Sequence, residues 1–154
     1  MITVRLTGFP EAIATITSWT PAVQQVVRAT VTRETIALQR HVVEDKLSGQ
    51  VLHVRSGTLR RSITYTVDET GQGVVGTVGT NLAYARIHEY GGTINVPEIR
   101  PVRAKALHFN GIFAMRARAH VVVIPERSYL RSALADREPV IRESLASALQ
   151  SALT

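Results

Sequence analysis

A chain of 154 residues suits one domain and is long enough to bury a core without a metal or a disulfide. It has no cysteine, which removes a disulfide framework, thiolate zinc sites and cysteine nucleophiles. Its formal charge of +6 permits contact with nucleic acid or an acidic protein surface, while an aromatic content of 5% argues against a base-stacking platform. No apolar run approaches the roughly 20 residues that span a bilayer, so no membrane partner is expected. The opening M-I-T-V-R-L-T-G alternates and soon meets Pro10, which does not read as a signal peptide; a cytoplasmic product is the default.

Ile2, Val4 and Leu6 alternate with polar residues and predict a short strand ending at Gly8. Pro10 opens a helical turn that would turn Ile13, Ile16 and Trp19 inward. From Pro21 a longer helix is expected, with Val23, Val27, Val31, Leu38 and Val42 as its apolar stripe and Ser48-Gly49 as its stop. Ser56 to Ser62 reads as a tight turn into a strand in which Ile63, Tyr65 and Val67 alternate with polar residues. Thr70 to Gly73 carries turn chemistry, and Val74 to Thr80 returns as the second strand of a hairpin. Gly76 and Gly79 weaken that strand or mark a close backbone approach.

The centre of the chain, T-N-L-A-Y-A-R-I-H-E-Y-G-G-T from Thr80 to Thr93, holds a short helix signal. Asn81 is the expected N-cap; Ala83, Ile87 and Tyr90 are the expected buried face, with Tyr84 and His88 as a neighbouring stripe. Gly91 supplies a left-handed stop. Thr93 to Val96 is strand-like, Lys105 to Phe109 is another candidate strand, and Gly111 to His120 reads as a mobile loop. Val121 to Ile124 is a continuous apolar run, expected to be a strand buried on both faces. A helical turn or two follows from Ser128, then a helix capped by Asp136 with Pro139 in its first turn. The sum is an α+β fold in a single domain, residues 1–154. A small, mostly antiparallel sheet is packed by a long N-terminal helix, Pro21–Leu47, and a C-terminal helix, Asp136–Ala152, with the short central helix at one end.

No catalytic set emerges from these elements. His41 and Glu44 have helix-neighbour spacing, but one pair cannot saturate a metal, and His88-Glu89 is not followed by a second histidine. No nucleophile elbow, phosphate loop or dinucleotide fingerprint is present. Glu89 beside Arg86 is expected to make a surface or interface ion pair. No enzyme, cofactor or metal is expected. Charge is more informative. Between Glu98 and Glu126 no acid occurs, while Arg100, Arg103, Lys105, Arg116 and Arg118 stand there with His108 and His120. Residues 98–120 therefore read as a mobile basic loop or arm. A solvated loop and an arm touching DNA phosphate or an acidic partner both fit. Tyr84, Tyr90 and Tyr129 suit interfaces or core; for Tyr90 the core is favoured.

Three blocks, in order, resemble a known family. They are Ser56-Gly-Thr-Leu-Arg-Arg-Ser-Ile63, Gly79-Thr-Asn-Leu-Ala-Tyr-Ala-Arg-Ile-His-Glu-Tyr-Gly-Gly92 and Ile124-Pro-Glu-Arg-Ser-Tyr-Leu130. Together they resemble the tail-completion and virion-morphogenesis proteins of tailed phages and prophages, Mu-like ones included, related to the head–tail joining family. In the third block Ser128 stands where that family usually has Pro, and Glu126 where it usually has Ala. The resemblance implies a structural neck protein that completes the tail or joins it to the head. It implies a ring, expected to be hexameric, with other neck and tail proteins as partners and non-specific DNA contact possible in its lumen. Its place would be the virion neck or tail, and the host cytoplasm during assembly. Tyr84, Arg86, His88, Glu89, Tyr129 and Arg131 are the candidate subunit contacts. The alternative is a nucleic-acid-binding protein using the basic 100–120 arm.

Overall fold

The long amphipathic stripe that begins at Val23 organises the molecule. A computed structural model describes residues 2–6, 20–53, 56–70, 73–101, 106–109 and 111–153. The expected turn between Pro10 and Trp19, the tip at 71–72 and the basic residues Arg103 and Lys105 lie outside them. Among the described residues the elements are strand β1 (Ile2–Leu6), helix α1 (Pro21–His41), one-turn helix α2 (Thr58–Arg61), strands β2 (Thr64–Thr70) and β3 (Gly73–Thr80), and helix α3 (Ala85–Tyr90). Strands β4 (Gly92–Val96), β5 (Leu107–Phe109), β6 (Ile112–Ala114) and β7 (His120–Ile124) follow, then helix α4 (Leu130–Leu153). Helices and small antiparallel sheets in this mixture make the fold α+β.

Helix α1 starts at Pro21, where the missing N–H costs nothing. It widens into a π-helical segment, Val42–Gln50, and stops where Gly49 takes φ 125°. One face lies on the sheet ordered β1-β3-β2, all antiparallel. Gly76 marks the closest approach: a Cβ there would overlap the hydroxyl of fully buried Thr35, which donates to the Val31 carbonyl at 2.6 Å. Gly79 is hemmed in similarly, since its Cβ would lie 2.5 Å from the Ile2 carbonyl oxygen. The close approach read from these glycines is thus real. Helix α4 lies along α1 and also touches β1. Leu38, Val42, Val78, Tyr129 and Leu130 form the main core, while Val23, Val27 and Val31 pack with Leu145 and Leu149.

Four local expectations are corrected. Ser56 to Ser62 is not only a turn: Gly57 at φ 70° leads into the helical turn α2. The C-terminal helix does not start at Asp136 but runs unbroken from Leu130 with Pro139 inside it. Proline removes one backbone hydrogen bond, and packing of Ala133, Ile141, Leu145 and Leu149 on the body carries the helix past it. Asp136 is instead a cross-link: its carboxylate takes Lys46 Nζ at 2.6 Å and His41 Nε2 at 3.0 Å. The Lys46 and His41 hydrogen bonds hold its carboxyl below the usual range. His41 Nδ1 meets Asp45, not Glu44, at 2.5 Å. Finally, Gly111 to His120 is not one loop, since β6 pairs with β5 and Ala117 bridges Ile99.

Gly76→Ala is expected to destabilise the protein by about 2 kcal/mol or more, because a well-packed buried site must open to admit a methyl group. Urea titration followed by circular dichroism checks this, with Thr35→Ala/Gly76→Ala recovering part of the loss by removing the overlapping hydroxyl.

Candidate functional site

Glu89 is the structural centre of the stretch singled out between Thr80 and Thr93. Helix α3 begins later than Asn81: Tyr84 is the N-cap, and Thr80 organises the entry. The Thr80 hydroxyl accepts from Leu82 N at 3.2 Å and lies 2.7 Å from Ser62 Oγ. Starting at Ala85 rotates the inward face. Ala85 and Glu89, one helical turn apart, are fully buried, whereas Ala83 is exposed and Tyr90 is 50% exposed. The expected Ala83–Ile87–Tyr90 face is therefore wrong except for half-buried Ile87.

A buried carboxylate needs donors, and α4 supplies them. Tyr129 N and Leu130 N donate to Glu89 Oε2 at 2.8 and 2.9 Å, and Arg131 N donates to Oε1 at 3.0 Å. Ser128 Oγ donates to Oε1 at 2.8 Å, and Arg131 Nε reaches it at 3.2 Å. Helix α4 carries no acid in its own first turn, so Glu89 supplies the anion that its N-terminal N–H groups and dipole favour. Burial pushes the Glu89 carboxyl up, but the donors from Leu130, Arg131, Ser128 and Tyr129 outweigh it and hold the pKa below the ordinary 4.5. The expected surface pair with Arg86 does not exist. Burial also pushes the Tyr129 phenol up.

Arg131 closes the joint from outside. Its Nη2 reaches the Glu89 carbonyl at 3.3 Å and Glu126 Oε1 at 2.6 Å, and the guanidinium sits 4.6 Å from the centre of the Tyr90 ring. Arg127 N donates to the His88 carbonyl at 2.9 Å. Gly91, at φ 68°, has no room for a Cβ, which would lie 2.7 Å from Glu126 N. The two positions that depart from the resembled pattern, Ser128 and Glu126, are thus both bonded into this joint.

The candidate contacts divide accordingly. Tyr84 is exposed and meets His88 edge-on, with ring centres 6.0 Å apart. Arg86 is exposed and Arg131 half-exposed. Glu89 and Tyr129 are fully buried within the subunit and are not surface groups. In the basic stretch, Arg100 and Arg116 share Glu98, at 2.5 and 3.7 Å, so part of the charge read from the sequence is neutralised locally. Arg118 is exposed, and its carbonyl lies 3.0 Å from His120 Nδ1.

Among the described residues no group of three or more His, Asp or Glu is placed to hold a metal, and no helix is long and apolar enough to cross a membrane. Two indentations lie among the described residues: a groove of about 250 Å³ on the side of the β1-β3-β2 sheet away from α1, and a shallow depression on α1. The groove is lined mainly by threonines, including Thr3, Thr64, Thr66 and Thr77.

The sequence profile of the phage virion morphogenesis family matches residues 24–150. The chain belongs to the phage virion morphogenesis family. In this member the match runs from the first turn of α1 almost to the end of α4 and takes in the whole Glu89 joint. No curated protein and no solved structure matches the chain.

Glu89→Ala is expected to cost about 3–5 kcal/mol, since it orphans buried donors. Glu89→Gln should cost less, because the amide oxygen still accepts. A carboxyl with a lowered pKa stabilises fully above its unfolded value and loses that contribution as pH falls through its folded value. The stability gap between the native chain and Glu89→Gln should therefore narrow as pH drops below 4.5 and stay constant from pH 6 to 8, as measured by denaturant titration.

Proposed function

We propose that this virion morphogenesis protein is a structural component of the phage neck that completes the tail or joins it to the head. The family match over residues 24–150 carries the reading. The site chemistry supports it: the one buried carboxylate in the Thr80–Thr93 stretch spends its lone pairs on a helix terminus, as a fold-building group does. The protein acts as a ring, hexameric by the family resemblance, with neck and tail proteins above and below. A ring of this kind closes through heterologous contacts between two different faces of the subunit. Tyr84, Arg86 and Arg131 are exposed enough to take part.

A DNA-gripping arm is the competing reading. The sharing of Glu98 by Arg100 and Arg116 leaves less free positive charge than the sequence implies. As a lumen lining, such an arm would let DNA pass without holding it.

Particles assembled without this protein should accumulate as filled heads and separate tails under the electron microscope, and normal joined particles would overturn the reading. The free protein should bind duplex DNA weakly. Changing Arg100, Arg116 and Arg118 to Ala should alter the slope of affinity against salt only slightly, whereas tight binding lost in that variant would favour the DNA-binding reading.

A further inference from the structure

Helix α1 ends in a cluster of charge that its apolar packing does not require. The widening into a π-helix begins at Val42, immediately after His41. A π turn brings residues five apart into line where an α turn brings residues four apart. Asp45 and Lys46, four and five residues beyond His41, therefore both come within reach of one small group of atoms. His41 Nδ1 lies 2.5 Å from Asp45 Oδ2. Its Nε2 lies 3.0 Å from Asp136 Oδ2 on α4, the same oxygen that Lys46 Nζ reaches at 2.6 Å. The His41 side chain is 21% exposed and that of Lys46 11%, so solvent screens these contacts less than it screens a free surface pair.

Both ring nitrogens of His41 thus meet carboxylate oxygens. A neutral imidazole has one N–H and one lone pair, so it donates to one carboxylate and turns its lone pair on the other. The imidazolium donates to both. Charge points the same way. With the imidazolium, the formal charges of Asp45, Asp136, Lys46 and His41 cancel; with neutral His41, one negative charge is left over. The other charged side chains along this seam are engaged elsewhere: Arg40 with Glu44 at 3.9 Å and Arg137 with Glu34 at 3.0 Å. From α2, which packs on the π-helical segment, Arg61 reaches the Ser56 carbonyl at 3.2 Å and Arg60 is exposed.

We propose that His41 is a pH-sensitive clasp between α1 and α4, closed when both ring nitrogens carry protons. A contact made only by the protonated ring is complete below histidine's ordinary value of about 6.5 and is lost as pH rises through the ring's titration in the folded chain. The acceptors do not change over that interval. Hydrogen bonds from Lys46 and His41 hold the Asp136 carboxyl below its usual range, and its partner Lys46 remains a cation. Glu89 is likewise an ionised acceptor throughout, so the start of α4 is held independently of the clasp. Rising pH therefore loosens α4 around Asp136 and leaves Tyr129 to Arg131 in place. Asp136 is next to Arg137, whose bond to buried Glu34 continues the same seam.

Amide hydrogen exchange by NMR, corrected for the intrinsic effect of pH on exchange and followed from about pH 5.5 to about pH 8, tests the clasp. Protection at Ala135, Asp136 and Arg137 should fall by roughly fivefold, the upper scale of a solvent-accessible ion pair, while Tyr129 to Arg131 keep theirs. Nitrogen spectra of the His41 ring, recorded alongside, should show both nitrogens protonated where protection is high and one proton lost where it falls. In His41→Gln, with circular dichroism as the check on folding, the fall should disappear. Asp45→Asn keeps the ring and Asp136 but removes one carboxylate, and its fall should be smaller than in the native chain; this variant decides the matter if His41→Gln does not fold. Protection at residues 135–137 that stays high after the ring has lost a proton would overturn the proposal. So would a fall as large in His41→Gln, or in Asp45→Asn, as in the native chain.

Discussion

A carboxylate with no exposed surface is the constraint from which the C-terminal half of this protein follows. Glu89 has to be ionised where water cannot reach it, and the N-terminus of α4 has to place N–H groups that its own first turn does not satisfy. Each requirement answers the other. Neither partner is tolerable alone, which is why the joint fixes the start of α4 to one place on α3. From there α4 runs along α1, held by Arg137 on buried Glu34 at 3.0 Å and by Asp136 on Lys46 and His41. Burial pushes the Glu34 carboxyl up, and hydrogen bonds from Ser144, Arg137 and Arg33 more than offset it.

The same joint aims the two-stranded antiparallel ribbon of β4 and β7. β4 leaves directly from α3, and β7 returns directly into the segment that caps α4. Gly91 lets the two ends come within backbone contact, and the Arg127–His88 hydrogen bond ties them. Arg131, half in solvent, bridges Glu126, the Glu89 carbonyl and the Tyr90 ring at the point where the ribbon departs. The ribbon is thus anchored at its root, although β4 and β7 pair only with each other among the described strands.

Much of the fold was legible because it follows from local periodicity. The stripe from Val23 to Val42, the stop at Gly49, the β2–β3 hairpin and the close approach at Gly76 are all consequences of spacing. The site was less legible. Glu89 lies about forty residues from its donors, and a helix-neighbour rule sees only Arg86. One signal was available: Ser128-Tyr129-Leu130 opens a helix whose first turn has no acid, so an anion had to come from elsewhere. The start of α3 was misplaced because Asn81 is a good cap in isolation, while Thr80 was already engaged by Ser62 from a distant turn. The run Val121 to Ile124 shows a different limit. It was expected to be buried on both faces, yet Val121 and Val123 are exposed, because β7 pairs only with β4 among the described strands. The basic interval misled by omission, since Glu98 stands at its border in sequence and between Arg100 and Arg116 in space.

The central claim is that Glu89 holds the first backbone N–H groups of α4. Amide hydrogen exchange measured by NMR at Tyr129, Leu130 and Arg131 tests it most directly. These amides precede the helix's own hydrogen-bond ladder and would otherwise exchange as a frayed terminus does. The expected result is protection comparable to that of the core residues Leu38 and Val78, lost at these three positions in Glu89→Ala before the rest of α4. Exchange as fast as at exposed loop amides in the native protein would contradict the account.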